Sequence, residues 1–381
     1  MIKGNKIAAL FLALLFQILT VNSLYAREYY LETWNSFLDL PEGLEPIEIT
    51  ETKATFGTSD EKIFFQIKVY PTETYSSARE IYNDVKIKIK ADGEGVDYYL
   101  NDFDSVFANY SFILGEIPYQ GFSVLINGKE RDWVILSFCE AEIYGKNNFA
   151  LLSALDSFSM DENSLYKSGP VSSFYETSYA SPDMAVVSFP FEKGKIALQA
   201  DKHAIEASEV TAEREAIVLS GFTAADTDAW SRFYRIIYRD NYKKLQPLFT
   251  ELQRVGLKRN TDPAEISKRL LSWLQDFTYS RTGTIADFSP PLTALQDYAG
   301  DCDSLALLYV ILLKYYGIDS ILMVSAEYSH SMAAVDITGT GARFTFKRKS
   351  YLVAEMTEKV EIGQINAATA DPAKWMGIGF N

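Results

Sequence analysis

The chain has 381 residues, 48% hydrophobic and 14% aromatic, which argues against long-range disorder and suits two or three domains rather than one. Its formal net charge of -15 argues against a nucleic-acid partner, because phosphate binding needs a basic face. With two histidines, two cysteines, no Cys-x-x-Cys, no His-x-x-x-His and no phosphate-binding loop, the sequence implies neither a dedicated zinc site nor any other cofactor.

Residues 1–26 read as a signal peptide. Lys3 and Lys6 precede an apolar run from Ile7 to about Val21, and small residues at Ser23 and Ala26 offer two cleavage sites. An uncleaved anchor is the other reading of that run. No later stretch is apolar enough to span a membrane, so the mature chain is expected to be periplasmic or secreted.

Residues 27–160 read as a β-rich α+β domain. Phe65, Ile67 and Val69 alternate with polar neighbours, as do Val85, Ile87 and Ile89, and both runs predict half-buried strands. Phe122 to Ile126 and Trp133 to Phe138 flank Asn127-Gly128, a hairpin signal. Cys139 ends the second of these strands and reads as a buried core thiol. A short helix is expected from about Asn148 to Ser157. Between Asp161 and Asp183 the Ser-, Gly- and Pro-rich sequence predicts a linker or surface loop. Two short β segments, Met184 to Phe189 and Lys195 to Ala200, complete a connecting stretch over 161–203.

From residue 204 to 381 the pattern turns to helices and then to strands. Trp230, Phe233, Tyr234, Ile237 and Tyr238 share one helical face. Ile266, Leu270, Trp273, Leu274 and Phe277 share another, after the helix start Thr261-Asp262-Pro263. On this reading Trp273 belongs to the core.

The chemistry concentrates in Gly300-Asp301-Cys302-Asp303-Ser304, which runs into a Leu-rich helix closing at Tyr316-Gly317. Asp301 is a candidate N-cap, and Cys302 falls in the first helical turn, where free N–H groups and the helix dipole favour thiolate. A nucleophilic thiol needs a base and a group to orient it. His203 lies in a polar stretch, whereas His330 sits between two apolar runs at the edge of a strand. Asp336 is about 20 Å further along that strand, too far to bond the ring. Glu355 is on the next strand, after a turn expected at Gly339-Thr340-Gly341, and cross-strand side chains sit within about 5 Å. Gln275 precedes the cysteine and is a candidate oxyanion donor or a solvated helix residue.

Gly300-Asp301-Cys302-Asp303, the helix after it, Tyr316-Gly317-Ile318, a histidine opening a strand, and Glu355-Met356-Thr357 together resemble the nucleophile and base motifs of the transglutaminase-like superfamily. Its bacterial members include cysteine peptidases and amidases. The resemblance spans about residues 204 to 365, and Glu355 stands where many members carry Asp. It implies a papain-like α+β catalytic domain and attack by Cys302 on an amide or ester carbonyl of a peptide or protein substrate. His330 would move the proton and Glu355 orient it. Whether water or an amine resolves the acyl-enzyme stays open, and a non-catalytic binding protein on the same scaffold is the alternative.

Overall fold

The computed structural model describes residues 28–178, 181–223, 225–284 and 286–380; the expected signal peptide lies outside the described residues. The fold is α+β. β1 (Glu28–Leu31) and β2 (Ser36–Asp39) form an antiparallel pair. Then come β3 (Glu45–Ile49), β4 (Lys53–Gly57), β5 (Ile63–Pro71), α1 (Ala78–Lys88), β6 (Gly95–Leu100), β7 (Phe103–Leu114), β8 (Ile117–Ile126) and β9 (Arg131–Glu140). Their strands make one antiparallel sheet in the order β3-β4-β5-β9-β8-β7-β6. Asn127-Gly128 lies in the turn between β8 and β9, and β5 alternates as expected, with Phe65, Ile67 and Val69 buried.

The sheet is covered on both faces. Ile81, Tyr82 and Val85 of α1 pack on Val106, Tyr110 and Phe138. On the other face α2 (Tyr144–Asp156) and α3 (Pro170–Thr177) bring Leu152, Leu155 and Val171 onto Phe65, Ile67 and Ile135.

Two expectations are corrected here. The Val85/Ile87/Ile89 alternation belongs to helix α1, not a strand: Ala78, Ile81, Tyr82 and Val85 recur at helical spacing and are buried, whereas Ile87 is 75% exposed. Ser77 accepts the Glu80 N–H at 3.2 Å and caps that helix. The stretch 161–183 is not a plain loop either. It holds a 3-10 turn at Glu162–Tyr166 and α3, whose first-turn N–H groups from Val171 and Ser172 both donate to Asp156 Oδ1 at 2.9 Å. A carboxylate thirteen or more residues upstream supplies that cap, so no local signal marks the helix.

The remainder begins with the β10 (Met184–Phe191) and β11 (Gly194–Asp201) ribbon, followed by α4 (Lys202–Leu219), α5 (Thr227–Lys244), α6 (Gln246–Arg254) and α7 (Pro263–Leu274). Asp262 caps α7 through the Ala264 and Glu265 N–H groups. After β12 (Thr278–Tyr279), α8 (Pro291–Asp297) and β13 (Ala299–Gly300) comes α9 (Cys302–Tyr315), apolar around its whole circumference and buried at its centre. β14 (Ser320–Ser325), β15 (His330–Val335), β16 (Arg343–Phe346), β17 (Lys349–Ala354) and β18 (Met376–Gly379) form an antiparallel sheet in the order β16-β17-β15-β14-β18. Leu322, Val324, Ala333 and Val335 of that sheet pack in one core with α9. Gly339 and Gly341 do not make a hairpin between β15 and β17. The chain instead runs out to the edge strand β16 and returns through Lys347-Arg348, so that β17 still lies beside β15.

The two halves meet through buried charge. Arg214 on α4 donates to Glu215 Oε1 at 2.8 Å and to Asp156 Oδ2 at the end of α2, and all three side chains are at most 2% exposed. Arg232 on α5 donates to Ser153 Oγ at 2.7 Å and Glu215 Oε2 at 2.8 Å. Removing one partner of such a buried pair strands the other charge. Arg214→Met should therefore lower unfolding free energy by about 3–5 kcal/mol, read by chemical denaturation, whereas Ile87→Lys on the open face of α1 should stay within about 0.5 kcal/mol of wild type.

Candidate active site

Cys302 is the first residue of α9. Its loop is pinned by the short parallel pairing of β12 with β13, Tyr279 opposite Gly300, so the chain enters the helix at a fixed angle. A Cβ at Gly300 would sit 3.0 Å from Ser304 Cβ and 3.3 Å from Ala294 Cβ, so a larger residue there would have to displace its neighbours. Asp301 caps the helix as its position suggests, accepting the Ser304 N–H at 2.8 Å and the Ser304 hydroxyl at 2.7 Å. Burial, with Asp303 beside it, raises the Asp301 carboxyl to about 6.

His330 opens β15, and its Nε2 lies 2.6 Å from Glu355 Oε2. The β15–β17 register pairs Ala333 with Ala354, so Glu355 follows the end of β17 and reaches the ring diagonally rather than from directly opposite. The other carboxylate oxygen, Oε1, accepts both the backbone N–H and the hydroxyl of Thr357 at 2.7 Å. Thus the acid, one residue and threonine of the sequence form a turn that locks the carboxylate. Gln275 holds the same segment from outside: its Nε2 donates to Glu355 O at 2.8 Å and Val360 O at 2.9 Å. That amide is committed to two carbonyls, and its donors are not turned toward a substrate oxyanion. Asp336 pairs with Lys349 at 2.6 Å, Trp273 is 3% exposed with its indole N–H on Pro190 O, and His203 sits in the first turn of α4.

The thiol is the unexpected part. Both cysteines are free and buried. Cys302 is 5% exposed, and its Sγ–H donates to Asp303 Oδ2 at 3.9 Å, not to His330. Burial pushes the thiol up to about 12, helped by Asp303 and Asp301 and opposed by the Ser331 and Asp303 backbone N–H groups. The helix terminus does favour thiolate, as expected, but desolvation and two neighbouring acids outweigh it. Cys302 therefore rests as a thiol.

Asp303 ties the parts together. Tyr234 of α5 donates to Asp303 Oδ1 at 2.6 Å, and so does the hydroxyl of Ser331, the residue after His330. The helix that carries the thiol and the strand that carries the base are thereby bonded to each other. In the sequence Asp303 stands only as a member of the motif around Cys302, and neither Tyr234 nor Ser331 stands out as a site residue. The one available signal is the phenol in the buried stripe of α5, because a buried Tyr O–H calls for a partner. Asp303, His330 and Ser331 border a cleft of 440 Å³ whose other walls include Trp230, Phe233 and Phe288; Cys302 is not on its surface.

No protein-family model matches the chain, and no curated protein matches it. Among solved structures it is similar to cyanobacterial PsbP (CyanoP) from Synechocystis, at 8% identity over 35% of this chain and 91% of that one, with a TM-score of 0.30. A protein of unknown function from Pseudomonas aeruginosa matches at 9% identity over 26% of this chain and 77% of its own, TM-score 0.23. A protein from Bacteroides thetaiotaomicron matches at 9% identity over 57% and 79%, TM-score 0.25. These likenesses are too low to carry an argument about fold or function.

The electrostatics of the pair give a signed test. Burial disfavours the His330 cation, but the Glu355 bond and charge outweigh it and raise the imidazole above its ordinary 6.5. For Glu355 burial works upward, while His330 and Thr357 prevail and lower it below 4.5. The His330 contribution to stability is present below its unfolded value and lost as pH rises through the folded one. The Glu355 contribution is present above its unfolded value and lost as pH falls through its folded one. Both are full between the ordinary values, 4.5 and 6.5. NMR titration should find the His330 midpoint above 6.5, and Glu355→Gln should lower it.

Proposed function

We propose that the chain is an exported, cysteine-dependent hydrolase or acyltransferase acting on amide bonds of a peptide or protein substrate, with a transglutaminase-like catalytic domain. Cys302 is its nucleophile, His330 its base and Glu355 the positioning acid. The observation that carries this reading is the 2.6 Å His330–Glu355 bond, with the carboxylate locked by Thr357, on a strand bonded through Ser331 to the turn that holds Cys302. A scaffold alone has no use for an imidazole clamped in one orientation. With Nε2–H donating to Glu355, the lone pair for accepting a proton is on Nδ1.

The resting thiol sets the order of events. His330 takes the Sγ proton as sulfur attacks the carbonyl carbon, rather than before. The carbonyl electrons move to oxygen, where N–H groups of the open first turn of α9 stabilise them. As the tetrahedral intermediate collapses, the C–N bond breaks and the amine leaves with the proton from His330. Water then attacks the thioester, His330 takes its proton and returns it to sulfur, and the acid is released. An amine in place of water gives a new amide. Asp303 must turn aside for substrate to reach sulfur.

A second reading has its own support. A thiol that is 5% exposed, protonated and off the cleft surface also suits a non-catalytic binding protein. p-Nitrophenyl acetate separates the two. The catalytic reading expects acetylation mapped to Cys302, reduced about 10²–10⁴-fold in His330→Ala. Its rate should rise with pH through the raised His330 value, because the neutral ring is the active form. Acetylation of Cys302 no faster than a simple thiol, and indifferent to His330, supports the scaffold instead.

A further inference from the structure

The cleft beside His330 contains one carboxylate, Asp303, whose charge favours the His330 cation but which makes no salt bridge among the described residues. Of its charged lining groups, Arg281 is paired with Asp287 and His330 with Glu355. Among the described residues Asp303 has no salt bridge. Its hydrogen bonds come from Tyr234, Ser331 and the Cys302 thiol, all neutral donors. A half-buried carboxylate supplied only by neutral donors has charge to spare, and the wall around it is aromatic: Trp230 lies stacked at 6.2 Å from Tyr234, and Phe233 meets Phe288 edge-on at 6.0 Å. Carboxylate and ring faces together favour a cation with N–H donors and an apolar stem.

We infer that Asp303 is the specificity-determining residue of the cleft and recognises a primary ammonium group. The assignment rests on the acyl-transfer reading for what that ammonium does. Sulfur is 3.9 Å from Asp303 Oδ2, so an ammonium drawn to this carboxylate is delivered beside the reacting carbon. It also gives the carboxylate a reason to leave the thiol, because the new partner is charged and the thiol is a weak donor. Two sources share this chemistry: the free N-terminus of a peptide substrate, and an acceptor amine, which gives its ammonium proton to the neutral His330 ring before its nitrogen attacks the thioester and displaces sulfur.

Titration calorimetry with hexylammonium and hexan-1-ol tests the inference without turnover. Wild type should bind hexylammonium at least about tenfold tighter than the alcohol, and Asp303→Asn should abolish that preference. Unchanged binding of hexan-1-ol by the variant certifies an intact cleft. Equal binding of the two probes by wild type, or a preference that survives in Asp303→Asn, overturns the inference. A tripeptide with a free or an acetylated N-terminus then names the source. A gain from the free terminus identifies the substrate's own end, and a gain confined to alkylammonium identifies an acyl acceptor. If the ammonium preference is present but Cys302 cannot be acetylated, acyl transfer fails while the ammonium site stands.

Discussion

Arg232, Arg235 and Arg239 follow one another at three and four residues along α5, and all three guanidinium groups are turned into protein rather than water. A buried guanidinium is tolerated only where acceptors surround it, and all of these acceptors but Glu215 of α4 come from earlier in the chain, before α4. Arg235 makes a two-pronged pair with Asp39 of β2 at 2.8 and 2.7 Å. Arg239 donates to the carbonyls of Asp156, Ser157 and Phe158, closing the end of α2, and to that of Lys167. Arg232 reaches Ser153 and Glu215. Such bonds have directions, unlike apolar contact, so they fix how α5 lies against the N-terminal sheet domain as well as that it does.

The same helix carries the site on its other side. Phe233, Tyr234, Ile237 and Tyr238 enter the core that α9 dominates, and the Tyr234 hydroxyl ends on Asp303. The arginine row and the hydroxyl partner of Asp303 are carried by one helix. The N-terminal sheet thus supports the candidate site at a distance, although among the described residues it contributes none to the cleft. The candidate groups come from three elements, α9, β15 and the turn after β17, each held by a neighbour: Ser304 donates to Asp301, Ser331 to Asp303 and Thr357 to Glu355. That is the support a preorganised site needs.

How much of this could be read from the sequence follows from the range of the interactions. The caps at Asp301 and Asp262, the stripe on α5 and the apolar helix after Cys302 are local patterns, and they were legible. The closeness of Glu355 to His330 was legible too, because neighbouring strands keep a short list of partners. Its route was not: β16 is interposed in the chain but lies at the edge of the sheet, so the ladder is the same by a different path. α3 could not be read, because its cap is supplied by Asp156 from another helix. The α1 segment satisfies two periods at once: Val85, Ile87 and Ile89 alternate as in a strand, and only Ser77, Ile81 and Tyr82 upstream select the helix. The state of the thiol was also illegible. The sequence places Cys302 in a favourable dipole, while the burial and the orientation of Asp303 that decide the balance are tertiary.

The two cysteines provide an internal comparison for the central claim. Burial raises Cys139 to about 11 and Cys302 to about 12, so by acidity alone neither is reactive and Cys302 is the less so. The catalytic account requires His330 to reverse that order. The measurement is competitive alkylation of the native protein with iodoacetamide at neutral pH, with both cysteine peptides quantified by mass spectrometry in wild type and in His330→Ala. The account predicts that Cys302 is labelled well ahead of Cys139 and that the lead disappears in the variant. Equal labelling of the two thiols, or a lead for Cys302 that does not depend on His330, would contradict it.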